Sequence, residues 1–349
     1  MNIDDAGEKP IMIMQPKAWI FGAVVSLLIA AACPSQAQDP PPQEAVAMPP
    51  HQFKAAAEQP NFEWFFLLVD AGNEKGFWAR NGLDPTFVPA AGSSAQLKSL
   101  VDSGVRIGFV NAAEVTLARS HGLPVKIVAA YFGETTARIF AAAKGPMTTA
   151  KDLDGMKIGV ISATHTSYRT VFYINQKLGI NAEPVAIGSL ASNVAALKAG
   201  QIDAFYSAEG AALTYIDSGD LRLVLPLADI YPKPYTAVVI WATDDLIEQN
   251  PDMVGKFVRA TLEIVGYLKA NPDYASELYV RRTQAAKNVA DKAITSLNRI
   301  LTPNGLGSGN DLVAAVSGNW RFIIESGAVP AAPVIKIEEV VDTRFLPHQ

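Results

Sequence analysis

The chain has almost no cysteine: Cys33 is the one thiol in 349 residues. If the amino-terminal segment is cleaved beyond it, no disulfide and no thiol chemistry is left to the remainder. Positive charge is scarce as well. The formal net charge is −5 at pH 7, which argues against the clustered basic surface that a nucleic-acid footprint needs. Histidine is limited to His51, His121, His165 and His348, scattered without the spacing of a zinc site or an H-E-x-x-H helix, so no metal is expected. A C-x-x-C pair, a G-x-S-x-G elbow and a Walker loop are also missing. Gly305-Leu306-Gly307-Ser308-Gly309 is glycine-rich, but it follows Thr302-Pro303-Asn304 rather than a strand and reads as a plain loop. Neither a catalytic residue nor a cofactor follows from this inventory, and a small solute is the better partner.

Long apolar runs are confined to the amino end. Trp19 to Ala32 is an apolar run of about fourteen residues, short of the ~20 that span a bilayer but suited to the h-region of a signal peptide. Lys17 supplies a positive charge before it, whereas Asp4, Asp5 and Glu8 make an unusual lead, so Met1 and Met14 both stand as start sites. Ser35-Gln36-Ala37 offers a small-x-small cleavage site, giving a signal peptide over 1–37. Cys33 after Ala30-Ala31-Ala32 leaves a lipid anchor as the alternative. Residues 38–60 carry six prolines among Ala, Gln and Glu and read as a disordered linker.

The densest information lies in Gly159-Val160-Ile161-Ser162-Ala163-Thr164-His165-Thr166-Ser167-Tyr168. Lys157 to Ile161 has strand composition, and Thr166 or Ser167 is placed to cap a helix whose stripe, Tyr168, Val171, Phe172, Asn175 and Leu178, stops at Gly179. A helix start at a strand end suits an anion. The pattern recurs upstream, where Pro85 to Ala90 reads as a strand and Gly92-Ser93-Ser94 as a break with hydroxyl caps. Two further segments share a Gly followed five residues later by Phe, Gly104 to Phe109 and Gly200 to Phe205. They run into Asn111-Ala112-Ala113-Glu114 and Ser207-Ala208-Glu209, which are therefore placed to meet a ligand at the carboxyl ends of strands. Two lobes offering one kind of edge imply a divided pocket.

After about Leu225 the alternation of strands and helices gives way to a strand at Thr236 to Trp241 and then helices. Asn250-Pro251-Asp252 and Asn271-Pro272-Asp273 each place an N-cap before Pro at the first helical position. A long helical tail after the second alternating set suggests that the chain returns to finish its first lobe.

Asn73-Glu74-Lys75-Gly76-Phe77-Trp78-Ala79-Arg80-Asn81-Gly82-Leu83 resembles the "KGFF..GL" segment of the SsuA/TauA/THI5-like (NMT1-type) solute-binding proteins of ABC importers. Gly122-Leu123-Pro124-Val125-Lys126, Lys151-Asp152-Leu153-Asp154-Gly155 and Leu197-Lys198-Ala199-Gly200-Gln201-Ile202-Asp203-Ala204 extend the similarity, which runs from about Asn61 to Leu346. The resemblance implies a type II periplasmic-binding fold. Two α/β lobes, 61–145 with 233–349 and 146–232, would be joined by a hinge with two crossovers and close on a solute. It further implies a periplasmic, non-enzymatic monomer that delivers a sulfonate-like or aminopyrimidine-like solute to a permease and ATPase at the inner membrane. A binding protein serving a signalling receptor is the alternative, with a THI5-like pyrimidine-synthesis enzyme behind it.

Thr164-His165-Thr166-Ser167-Tyr168 is similar to a loop of the taurine-binding branch, but Asn111-Ala112-Ala113-Glu114 and Ser207-Ala208-Glu209 depart from that branch's Ser-Ser-Pro-like and Trp-Ala-Pro-like turns. The candidate ligand residues are Trp64, Ser93, Ser94, Asn111, Tyr131, Thr164, His165, Thr166, Ser207 and Glu209. Trp64 and Phe65, read as the end of a first strand, and Tyr131 would pack on an organic solute. His165 reads as a pocket donor or as an exposed turn residue, and its loop position favours the former. Glu209 would either hold an amine or serve as a helix-start carboxylate favoured by the dipole, and for Glu114 and Phe65 the structural roles, helix start and core, are expected.

Overall fold

The computed structural model describes residues 51–58, 63–90, 93–329 and 334–347, all within the compact unit Met48–Gln349. The expectations for the signal peptide, Cys33, linker residues 38–50, Gly92 and His348 lie outside the described residues.

The chain begins with β1 (His51–Glu58), α1 (Glu63–Glu74), α2 (Phe77–Arg80), β2 (Leu83–Ala90), α3 (Ser94–Asp102), β3 (Ile107–Asn111), α4 (Ala112–Ser120) and β4 (Val125–Ala130). There follow β5 (Ala137–Ala142), β6 (Lys157–Val160), α5 (Thr166–Leu178), β7 (Glu183–Ala186), α6 (Leu190–Lys198), β8 (Ala204–Ala208), α7 (Glu209–Asp217) and β9 (Leu221–Pro226). The return comprises β10 (Val238–Thr243), α8 (Asp244–Gln249), α9 (Pro251–Ala270), α10 (Pro272–Thr283), α11 (Lys287–Ile300), α12 (Gly309–Ser326) and α13 (Ile337–Val340). Asn250 accepts from the Met253 amide with Pro251 at the first helical position, as that pattern anticipates.

Two five-stranded sheets result, in the orders β2-β1-β3-β10-β4 and β7-β6-β8-β5-β9. Their designs coincide position for position. In each, one strand antiparallel to the central one comes from across a crossover: β10 beside β3, and β5 beside β8. The chain passes between sheets at 131–136 and returns at 227–237. Ala137–Ala142, which the sequence reading put in lobe 1, therefore hydrogen-bonds in the second sheet.

Two element assignments are corrected. His51–Glu58, read as linker, is an inner strand pairing with β2 along its whole length and with β3 through Ala56 and Gly108. Alanine is a weak strand former, but here it is what fits: a Cβ on Gly108 would lie 2.4 Å from the Ala56 carbonyl oxygen, so only small residues let β1 and β3 approach. The run at Trp64 and Phe65, read as the end of a first strand, forms the first turns of α1. Phe65, Phe66, Leu67 and Leu68 are all buried, and a helical turn buried all round loses the period that separates it from a strand.

The shared Gly-x4-Phe spacing has a packing cause. Phe109 on β3 meets Phe65, Phe87, Tyr131 and Phe257 at centroid distances of 5.3–6.1 Å, and its counterpart Phe205 on β8 meets Phe140 at 6.0 Å. Each Phe anchors the core from the central strand of its sheet. The other half of the repeat was misaligned. By sheet position the strand before Ser93 matches β7 rather than β6, and the true partner of Ser93, N-cap of α3, is Ser189, N-cap of α6.

Candidate functional site

The carboxyl ends of β3, β6 and β8 converge on a narrow cleft, the place where parallel α/β sheets leave strand ends and helix starts facing outward. Asn111 lines it from the end of β3, His165 from the turn between β6 and α5, and Tyr206 and Ala208 from β8; Phe65 and Phe132 close it. Thr135 and Thr136 of the first crossover add hydroxyls. No carboxylate, ammonium or guanidinium is among its described lining residues. A second hollow, sharing Thr135, lies against both crossovers between Gly133 and Tyr235. Burial pushes the Tyr231 and Tyr235 phenols up, so these groups stay protonated; the Tyr231 hydroxyl lies 2.6 Å from Thr170 Oγ1.

His165, rather than Thr166 or Ser167, is the N-cap of α5. Its Nδ1 accepts from the Ser167 amide at 2.9 Å, which leaves the ring proton on Nε2. The ring is buried and meets Tyr206 edge-on at 6.2 Å. Asn111 caps α4 through the Ala113 amide at 3.0 Å, and Ser93 caps α3 through the Gln96 amide at 3.3 Å. Thr164 is exposed; its hydroxyl lies 3.3 Å from Ser162 Oγ, and its carbonyl accepts from Arg169.

The Ser94 and Thr166 turns do come together, and what they meet on is Glu114. This side chain, expected as a helix-start carboxylate at the surface, is fully buried. The Ser94 amide donates to its Oε2 at 3.0 Å, the Thr166 hydroxyl donates to its Oε1 at 2.5 Å, and Arg169 forms an ion pair with Oε1. Arg169 is 6% exposed and was not singled out from sequence. Its one signal was a basic residue four positions after a cap on an otherwise apolar and hydroxylic helix face.

Three other candidates are corrected. Tyr131 has no exposed surface and packs between Phe109 and Phe132 in the core. Ser207 sits between Tyr206 and Ala208, and strand alternation turns it to the face opposite the cleft. The Glu209 carboxylate is held within the protein by Arg138 at 3.4 Å and by the Ser296 hydroxyl at 2.5 Å. Trp64 lies in the first turn of α1, and its side chain is outside the described residues. Phe65, by contrast, expected only as core, borders the cleft as well.

The sequence profile described as "NMT1/THI5 like" matches residues 65–275. The riboflavin-binding protein RibY of Chloroflexus aurantiacus is 26% identical over 285 residues, covering 76% of this chain and 78% of that one. A formylaminopyrimidine-binding protein of Halalkalibacterium halodurans is 22% identical over 278 residues, covering 76% and 81%. Among solved structures, the alkanesulfonate-binding protein SsuA of Xanthomonas axonopodis pv. citri, bound to MOPS, superposes with a TM-score of 0.70 at 13% identity, covering 85% of this chain and 99% of that one. That likeness shows a shared fold, the two-sheet architecture of the periplasmic binding proteins. These relatives are named as binding proteins rather than enzymes.

Proposed function

Since the chain belongs to the NMT1/THI5-like family, we propose that it is an extracytoplasmic solute-binding protein that captures a small organic molecule between its two sheets and delivers it to an ABC importer. The observation that carries this reading is the cleft itself, built by strand ends of both sheets and bordered by both crossovers, so that a solute there would touch both halves at once. Its lining supports a planar, uncharged heterocycle over a sulfonate. Aromatic rings flank it, Asn111, Thr135, Thr136 and His165 offer neutral donors and acceptors, and no cationic side chain lines it to hold an anion. The names of the riboflavin- and formylaminopyrimidine-binding relatives point to the same class. The protein acts as a monomer without catalysis, on the outer side of the inner membrane, where the Trp19 to Ala32 run would direct it.

Calorimetric titration and thermal unfolding with riboflavin, an aminopyrimidine and ethanesulfonate test the reading. A heterocycle should bind and raise the unfolding temperature, because a ligand held only by the folded state stabilises it. Binding of ethanesulfonate in preference to both heterocycles would overturn the solute class. A cytoplasmic, unprocessed chain on cell fractionation would overturn the transport role.

A further inference from the structure

Glu114 lies between the start of α3 and the first turn of α5 and collects hydrogen-bond donors from both. Its two oxygens take the Ser94 amide, the Thr166 hydroxyl and the Arg169 guanidinium, and the carboxylate, the hydroxyl and the guanidinium are all buried. The donors come from both halves: Ser94 begins α3 beside the first sheet, whereas Thr166 and Arg169 belong to α5 beside the second. The arrangement adjoins the cleft, for Glu114 lies three residues after Asn111 on α4 and Thr166 directly follows His165. One carboxylate and one guanidinium balance. A second anion brought among these donors would place two negative charges around a single buried cation, which low-dielectric surroundings penalise.

We propose that Glu114 is the residue that sets selectivity against anionic solutes, a built-in carboxylate filling an anion seat that its removal would open to a small sulfonate or carboxylate. The biological meaning of this exclusion rests on the reading of the cleft as a solute site, but the seat itself is testable without that solute. In Glu114→Ala the guanidinium, hydroxyl and amide remain while the charge that satisfied them is gone, so the buried cation recruits an external anion.

The test is calorimetric titration of methanesulfonate and acetate into wild type, Glu114→Ala and the Glu114→Ala/Arg169→Met double variant. Glu114→Ala should bind methanesulfonate about tenfold to a hundredfold more tightly than wild type, the factor carried by a charge-assisted hydrogen bond, and the double variant should lose the gain. Equal affinity in wild type and Glu114→Ala overturns the proposal. If Glu114→Ala does not fold alone, either anion in the refolding buffer should restore the native circular dichroism, and failure of both to do so overturns it equally. Riboflavin titrated into wild type is the separate control. Its failure to bind sinks the heterocycle reading and leaves the anion gain of Glu114→Ala to be scored independently.

Discussion

The Arg138 guanidinium and the Glu209 carboxylate meet 3.4 Å apart, one on β5 and the other on the first residue of α7, and Ser296 of α11 donates to the same carboxylate. The pair thus ties a strand that has just crossed into the second sheet to α7, and Ser296 joins a helix of the return segment to the same carboxylate. Both side chains are mostly buried, at 16% and 22% exposure. Glu209→Gln should therefore destabilise the fold by about 1–3 kcal/mol, because it leaves Arg138 without its counter-charge. Solute preference should stay as it is. Urea unfolding and titration with a heterocycle and a sulfonate check both halves of the statement; a swap of preference with unchanged stability would restore Glu209 to the ligand edge.

Arg169→Met removes the cation from beside a carboxylate with no exposed surface. Stranding the Glu114 charge should cost about 3–5 kcal/mol, while pairing the change with Glu114→Gln should recover much of that loss. A double-mutant cycle by urea denaturation gives the coupling directly. Additive losses would mean that the two side chains are neighbours without energetic dependence.

Much of the fold was legible because it is written locally. N-caps at Ser93 and Asn250, the helix stop at Gly179, and the Gly-x4-Phe spacing each depend on residues within one turn or strand. β1 was not, because its alanines make sense only against Gly108, some fifty residues away. α1 was not, because its first turn, Phe65 to Leu68, is buried on every side and shows no period. At the cleft, the placing of Asn111 and His165 follows from their position at strand ends. Glu114 and Arg169 were missed for one reason: a first-turn Glu and a helical Arg look like solvated charges until the fold brings them together across 55 residues of sequence.

Glu74 on α1 predicts part of the acid response. The Tyr274 hydroxyl donates to it at 2.8 Å and Arg281 reaches both its oxygens, and these bonds, Tyr274's foremost, outweigh burial and hold its carboxyl below the usual glutamate value. A carboxyl whose folded pKa is depressed binds fewer protons than in the unfolded chain, so its stabilisation is present above the ordinary carboxylate range and is lost as pH falls through it. Urea midpoints measured from neutral pH downward should fall less steeply for Glu74→Gln than for wild type. Parallel acid limbs would show that the pair does not contribute to stability.

His165 combines two roles that substitution can separate. Its Nδ1 caps α5, and its ring borders the cleft against Tyr206. His165→Ala loses both and should cost about 1 kcal/mol of stability for the cap alone. His165→Asn supplies another good capping side chain, so stability should largely return while heterocycle affinity stays low. If Asn restores binding together with stability, the imidazole serves only as a cap.

Gly318 is where α12 rests on the return crossover. A Cβ there would stand 1.9 Å from the Pro234 carbonyl oxygen and 3.6 Å from that of Pro232, so the obstacle is backbone, which no rotamer change relieves. The docking is fixed on either side by Asn319 Nδ2 to the Thr236 carbonyl at 2.9 Å and by Arg321 to the Lys233 carbonyl at 2.8 Å. Two effects oppose one another in Gly318→Ala. Helix propensity favours Ala by up to about 1 kcal/mol, whereas forcing the crossover outward costs about 1–3 kcal/mol or more. The clash should win, and the displaced segment should weaken solute binding too, since Pro234 and Tyr235 line the hollow beside the cleft. Gly255→Ala in α9 is the control, for its Cβ would meet nothing closer than Phe345 Cδ1 at 3.9 Å and propensity alone should stabilise it. Thermal unfolding of the two variants should therefore move in opposite directions; a rise for Gly318→Ala would mean that the helix and the crossover are not in the close contact described.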